Sequence, residues 1–260
     1  MPWLVRVTSF VPTERLRPFI EKLQVMETDR PWLSLVLPSP GLVLGVRFGG
    51  TATLFEDGRP RRLGNTGLTG VRTTVRRMQT TAGGIVVVTF RELGAAQLFD
   101  QPLDELFGAM VPLDALETAR ERSSVVERVA LARSNAERAA VVDAYLVNRL
   151  RERAPDALVA AAVAAIRREG GSLRIRALAR ELGTSQDPLE KRFRRVVGAS
   201  PKQFAKIVRF LHVVRGFERG QSLTELAHAG GYFDQPHLVR DFRAFTGEAP
   251  ERFLRAREHC

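Results

Sequence analysis

Cysteine is almost absent from this sequence. Cys260 is the last residue and the only one of its kind, which excludes a disulfide framework and a thiol-rich metal site. Histidine is missing from the whole first half, since His212, His228, His237 and His259 all lie in the second. An imidazole-built metal centre in the first half is therefore excluded. Long apolar runs are lacking too. The longest, Ala157–Ile166, is about half of what a membrane span needs. The start, MPWLVRVTSFVPTERLRPF, carries no long apolar segment of signal-peptide type, so a soluble cytoplasmic chain with no membrane partner is expected. Lysine is scarce, with only Lys22, Lys191, Lys202 and Lys206, so nearly all positive charge is arginine. Coding bias and a functional choice of guanidinium explain that equally well.

What is present is an excess of positive charge, unevenly placed. The 260 residues carry a formal net charge of +11 and an isoelectric point near 11.0. Residues 1–150 hold 19 Lys and Arg against 16 Asp and Glu, whereas residues 151–260 hold 21 against 13. The shorter part thus has most of the surplus, the footprint expected of a nucleic-acid binder. The length allows two domains, each with its own core.

The first half reads as β-rich. A short strand-like start is followed by Thr13 as a candidate N-cap and by Leu16, Phe19, Ile20 and Leu23, whose spacing predicts a helix over Glu14–Gln24. Strand-like runs follow at Leu33–Leu37, Leu42–Phe48, Thr51–Phe55, Thr73–Met78 and Ile85–Phe90, punctuated by Gly and Pro, as in an antiparallel meander or small barrel. Leu93–Phe99 and Pro102–Met110 read as short helices, Leu113–Arg122 and Asn135–Arg153 as longer ones. No catalytic constellation emerges. The glycine-rich Gly64–Gly70 lacks the Gly-Lys-Ser/Thr of a phosphate cradle and is expected to be a loop. There is no GxSxG elbow. The acidic pairs Glu56/Asp57 and Asp104/Glu105 sit where turns and helix starts explain them.

The second half is organised by a motif written twice. IRALARELGTSQDPLEKRFRRVVGASPKQF starts at Ile175, and LTELAHAGGYFDQPHLVRDFRAFTGEAPERF starts at Leu223. Leu178-Ala179 matches Leu226-Ala227, Leu189 matches Leu238, Phe193 matches Phe242, and Gly198, Pro201 and Phe204 match Gly247, Pro250 and Phe253. Apolar residues at helical spacing broken by a short glycine turn read as two helix-turn-helix units, about 175–197 and 223–246. The boundary falls at Arg151–Asp156, where charge and Pro155 break the preceding helix and Asp156 can cap the next.

At about 100° per residue, Leu189, Phe193 and Val196 turn one way in the second helix of unit one, and Asp187, Glu190, Lys191 and Arg194 the other. Ser185 is its N-cap candidate. In unit two Asp234 caps the second helix. Leu238, Phe242 and Phe245 point in; Pro236, Val239, Arg240 and Arg243 point out, flanked by Gln235 and His237. Between the units, Phe204, Ile207, Val208 and Leu211 make an apolar stripe with Lys202, Lys206 and Arg209 opposite. A connector helix over Pro201–Glu218 would be about 27 Å long. Together with the width of the units, it can hold two reading helices about 34 Å apart, one turn of DNA.

The doubled pattern resembles the DNA-binding domain of AraC/XylS-type transcriptional regulators, over roughly Asp156–Arg257. More weakly, LVLPSPGLVLGVRFGG and VVVTFRELGAAQLFDQPLDELFGAMVPLD resemble the amino-terminal domains attached to such regulators. The resemblance implies an α+β chain: a β-rich, cupin-like sensing or dimerisation domain with flanking helices over residues 1–153, then an all-α domain over 156–258 with two helix-turn-helix units joined by a long helix. It makes Gln186–Val197 and Gln235–Thr246 the recognition helices. Base-facing positions would be Asp187, Glu190 and Lys191 in the first, and Gln235, Pro236, Val239 and Arg240 in the second. Lys191 and Arg240 stand where the family most often has an arginine reading bases, and such an arginine can bond guanine O6 and N7 together. The phosphate candidates are Ser185, Arg194, Lys202, Lys206, Arg209, His237 and Arg243, each with a solvated charge face as the plainer alternative.

One departure stands out. Asp187 and Glu190 put two carboxylates on the DNA side of unit one. Glu190 can accept from a cytosine amino group, and Asp187 suits the helix N-terminus better than a base. The implied partner is double-stranded DNA, with RNA polymerase if the protein activates, and with a small-molecule effector and a homodimer both open. No cofactor and no metal are implied. Two other functions compete: a DNA-modifying or repair enzyme borrowing such a domain, for which Cys260 is the wrong cysteine, and a protein-binding module, which the basic charge disfavours.

Overall fold

The computed structural model describes residues 5–56, 58–116, 119–151, 153–217 and 221–257. Asp57, Glu218, His259 and Cys260, all named above, lie outside them, as does part of the helix expected over Leu113–Arg122.

Among the described residues, ten strands build two antiparallel sheets. The first contains β1 (Arg6–Phe10), β2 (Ile20–Thr28), β4 (Val43–Arg47), β7 (Thr66–Thr69), β9 (Gly83–Phe90) and β10 (Met110–Val111), in the order β1-β2-β9-β4-β7-β10. The second contains β3 (Trp32–Val36), β5 (Ala52–Glu56), β6 (Arg59–Leu63) and β8 (Arg76–Thr80), in the order β3-β8-β5-β6. Alternation explains the first sheet's buried face: Leu44 and Val46 on β4 and Val86, Val88 and Phe90 on β9 are fully buried. That face shares a core with Val125 and Val129 of α1 (Ala119–Leu131) and Val142 and Leu146 of α2 (Asn135–Arg149).

Several expectations for this half are corrected. Glu14–Gln24 is not a helix but a turn over residues 14–19 followed by the start of β2. The strand carries a bulge between Ile20 and Lys22, so buried residues fall at Ile20, Leu23 and Val25. One inserted residue turned a two-residue period into a three-residue step that imitates a helix. Leu93–Phe99 and Pro102–Met110 shrink to 3₁₀ turns at Ala95–Gln97 and Leu103–Leu106. Leu113–Arg122 divides into a 3₁₀ turn at Leu113–Ala115 and the start of α1, and α2 stops at Arg149. Gly64–Gly70 contains strand β7, paired with β4 and β10. Its glycines allow close approach: a Cβ at Gly70 would stand 1.8 Å from the Leu106 carbonyl oxygen.

The second half is helical: α3 (Ala157–Arg168), α4 (Ile175–Glu181), α5 (Gln186–Val197), α6 (Pro201–Gly216), α7 (Leu223–Ala229), α8 (Gln235–Thr246) and α9 (Pro250–Arg257). Helices α3, α4 and α5 enclose one core, built around Val159, Ile166, Leu178, Leu189 and Phe193. Helix α6 serves two cores. Phe204 and Ala205 near its start close the core of unit one, while Ile207, Phe210, Leu211, Val213 and Val214 join the core of unit two. Its apolar residues therefore extend beyond the single stripe seen in the sequence.

The core of unit two is continuous with that of the β-rich half. Polar contacts cross at the same place. Val75 donates its backbone N–H to the Phe245 carbonyl at 2.7 Å, and Arg77 pairs with Glu248 at 3.2 Å. Arg72, 3% exposed, anchors the crossing segment by donating to the carbonyls of Thr74, Val36 and Leu37 at 3.1, 3.1 and 2.7 Å. Burial, and then the nearby Arg76, pushes its guanidinium down to about 10. Unit one has contacts of its own with the β-rich half: Arg167 meets Glu92, and Gly198 lies close to the Leu103 carbonyl.

Candidate nucleic-acid interface

The two units share their local chemistry, with one extra residue between the paired helices of unit two. Helices α4 and α7 each have 7 residues, and α5 and α8 each have 12. Both turns close by the same hydrogen bond, from Thr184 N–H to the Ala179 carbonyl and from Tyr232 N–H to the Ala227 carbonyl, each 2.9 Å. Both turns pass through a glycine with φ of 69°, Gly183 and Gly231, and both second helices end on a left-handed glycine, Gly198 and Gly247. These are conformations that side chains with a Cβ adopt at a cost, which is why glycine recurs at the same places. Asp234 caps α8 by accepting from the His237 N–H at 2.7 Å. Ser185 occupies the N-cap position of α5 with an extended backbone, but its hydroxyl makes no cap bond.

The outward faces lie where the spacing put them. On α5, Leu189, Phe193 and Val197 are buried and Val196 is half-buried, leaving Asp187, Lys191 and Arg194 exposed. Glu190 is half-buried and already engaged. Gln186 donates to it at 2.9 Å and Arg194 at 3.3 Å. The Gln186 hydrogen bond first, then Arg194 and the charge of Lys202, hold its carboxyl below the usual range against the opposing effect of burial. On α8, Gln235, Pro236, Arg240 and Arg243 are exposed and Val239 is half-buried. Gln235 accepts from the Thr224 hydroxyl at 3.3 Å. Lys202 is exposed at the start of α6. The outward face of α8 is therefore cationic and open, and that of α5 carries a carboxylate bonded to its own helix.

Three of the phosphate candidates turn inward. The Lys206 ammonium lies 3.0 Å from the buried Asp241 carboxylate. Arg209 lies over the Tyr232 ring, 5.0 Å from its centroid. His237 packs edge-on against the same ring at 5.1 Å, with Nε2 3.8 Å from Asp241. Sequence reasoning missed Asp241 and Tyr232. A carboxylate three residues after Leu238 and one before Phe242 falls on the buried stripe, which was the available signal. It also passed over Phe233, 88% exposed in the turn just ahead of α8.

Among the described residues, no group of three or more His, Cys, Asp or Glu could hold a metal ion, and no helix is long and apolar enough to cross a membrane. Residues 178–256 match the family described as helix-turn-helix domain. No curated protein matches the chain. Solved structures of similar fold include ToxT from Vibrio cholerae, with 11% identity, a TM-score of 0.48 and coverage of 97% of this chain and 98% of that one. The DNA-binding domain of AdpA in complex with a target DNA has 25% identity and a TM-score of 0.37, over 40% of this chain and 95% of that one. A DNA-binding transcriptional dual regulator from Escherichia coli K-12 has 18% identity and a TM-score of 0.35, over 42% of this chain and all of that one. The doubled unit and the family match together make residues 178–256 a helix-turn-helix domain of the kind that AraC/XylS-type transcriptional regulators carry.

Proposed function

We propose that this regulator reads DNA unequally with its two units. Helix α8 supplies most of the base reading through Gln235, Pro236, Val239 and Arg240, and α5 adds a weaker contribution through Asp187, Glu190 and Lys191. Ser185, Arg194, Lys202 and Arg243 serve phosphates, while Lys206, Arg209 and His237 belong to the network around Asp241. What supports this most is the contrast between the two outward faces. Arg240 and Arg243 are exposed with no acidic partner among the described residues, whereas Glu190 is held by Gln186 and Arg194. A free arginine can take guanine bidentately; a carboxylate on the same face repels the backbone unless it meets a cytosine amino group.

Residues 1–153 form the sensing or dimerisation module in this reading, and residues 156–258 the DNA-binding domain, acting by binding rather than by catalysis, in the cytoplasm. A small-molecule effector would fit the cleft of about 290 Å³ where Leu37, Val43 and Thr89 face Leu211 and Val214 of α6, since its occupancy would bear on the connector. RNA polymerase is the further partner if the protein activates, and a homodimer would present four units to DNA. Selection of bound genomic fragments with the purified protein tests the core of this reading. Enrichment of a shared site is expected; recovery of fragments with no common sequence would refute it.

A further inference from the structure

Each recognition helix carries an ion pair at the same helical position, with the charges reversed. Phe193 and Phe242 correspond, so the residues just before them, Arg192 and Asp241, correspond as well. Arg192 donates from Nε and Nη2 to the two oxygens of Asp156, at 2.9 and 2.8 Å. Asp156 is the N-cap of α3, the helix that precedes unit one. Asp241 accepts from Lys206 at 3.0 Å, and Lys206 lies near the start of α6, the helix that precedes unit two. In both units the second helix of the motif is thus tied to the first half of the helix that precedes the unit.

The two ties differ in depth. Arg192 is 52% and Asp156 20% exposed, whereas Lys206 is 36% and Asp241 only 8% exposed. Asp241 sits on the buried stripe of α8, between Leu238 and Phe242, where an apolar residue would be the ordinary choice. Its second oxygen and the Tyr232 hydroxyl are both buried without a hydrogen-bond partner. Burial first, and then the Asp241 charge, raises the Tyr232 hydroxyl well above its ordinary value, so the two groups lie in one desolvated site. A carboxylate kept there at such cost is tolerated because Lys206 reaches it, and the pair exists only when α6 and α8 hold one relative pose.

We propose that Asp241 is a positioning residue for DNA recognition: paired with Lys206 across the α6–α8 contact, it fixes the rotation of α8 that aims Arg240 at the groove. The inference rests on the reading of α8 as the principal base reader. Arg240 is the residue immediately before Asp241, so at about 100° per residue an inward-held Asp241 sets the direction of Arg240. A slip of α8 about its axis would move Arg240 off a base edge while leaving the apolar stripe largely buried. Lys206 acts in this account through Asp241, not on a phosphate. Arg192 and Asp156 do the same for unit one with weaker constraint.

The test uses full-length protein, the strongest fragment from genomic selection and a random-sequence duplex of equal length, at several salt concentrations. Lys206→Gln and Asp241→Asn should each lower the preference for the selected fragment about tenfold, and the double variant should do no worse than the more damaged single. Lys206→Arg should retain the preference, because it keeps the pair. The slope of log affinity against log salt should stay unchanged in Lys206→Gln. A slope reduced by about 0.9, the share of one phosphate contact, would return Lys206 to the DNA backbone and overturn the proposal. So would single variants that lower the melting temperature but leave the preference intact, since the pair would then be merely structural. Should Asp241→Asn fail to fold, the two lysine variants decide alone. Wild-type protein with no preferred fragment would sink the DNA-reading assignment itself, an outcome separate from neutral variants of a protein that binds selectively.

Discussion

Removing the Asp156 carboxylate should destabilise unit one in two separable amounts. Its Oδ1 accepts from the Val159 N–H at 3.1 Å, capping α3, and both oxygens bind Arg192. Loss of a cap costs about 1 kcal/mol, and a bidentate pair as exposed as this one contributes roughly 0.5–1 kcal/mol. Asp156→Ala should therefore lose about 1.5–2 kcal/mol, equivalent to roughly 3–8 °C in Tm for a chain of this size. Asp156→Asn keeps a cap acceptor and should recover about half, and Arg192→Met should lose only the pair. The protonation of Asp156 offers a second handle. Burial pushes its carboxyl up, but hydrogen bonds from Arg192 and the Val159 and Leu158 amides, with the Arg192 charge, more than reverse that, so it lies below 3.8 in the folded protein. A lowered native value means the stabilisation is complete above the unfolded value and is lost as pH falls through the native one. Thermal and urea melts followed by circular dichroism from pH 7 to pH 3 measure all of this. If Arg192→Met were as damaging as Asp156→Ala, or if Asp156→Asn kept the acid sensitivity of the wild type at this site, the two-part reasoning would fail.

Two further outcomes follow from the same geometry. Arg72→Met strips three backbone carbonyls of their buried donor and loosens the segment that bonds α8 through Val75, so urea denaturation should show a loss of at least about 2 kcal/mol. Glu190→Gln removes a negative charge from the DNA side of α5, and affinity for random duplex in a fluorescence anisotropy titration should rise several-fold at low salt and converge with wild type at high salt.

How far the fold could be read in advance depended on what kind of signal each element sends. The helix-turn-helix units were legible because their helices pack on their own neighbours. Leu189, Phe193, Leu238 and Phe242 repeat with glycine turns between fixed-length helices, and all four are fully buried. Strands β3, β4, β5, β8 and β9 were legible from short β-rich runs between turn residues. Strand β2 was not, because its bulge between Ile20 and Lys22 gives a helical step. Strand β7 was hidden by glycines that serve close strand packing instead of a turn. In the interface, the outward positions of Arg240, Arg243 and Lys191 followed from helical phase alone. The inward turn of Lys206 and Arg209 did not, because it depends on Asp241 in α8 and Tyr232 in the turn before it, and single-helix periodicity does not report pairs across elements; His237 follows them by packing on Tyr232.

The claim that matters most is that the two units read DNA unequally, and Arg240→Ala measured beside Lys191→Ala tests it most directly. Both residues are exposed at the same position of their helices. Affinity for the selected genomic fragment and for random duplex, taken at one salt concentration, gives the preference of each variant. Arg240→Ala should cost about 1–3 kcal/mol of preference and relax one base pair of the site, with Lys191→Ala losing clearly less. Equal losses, or an Arg240→Ala protein whose preference matches the wild type, would contradict the account.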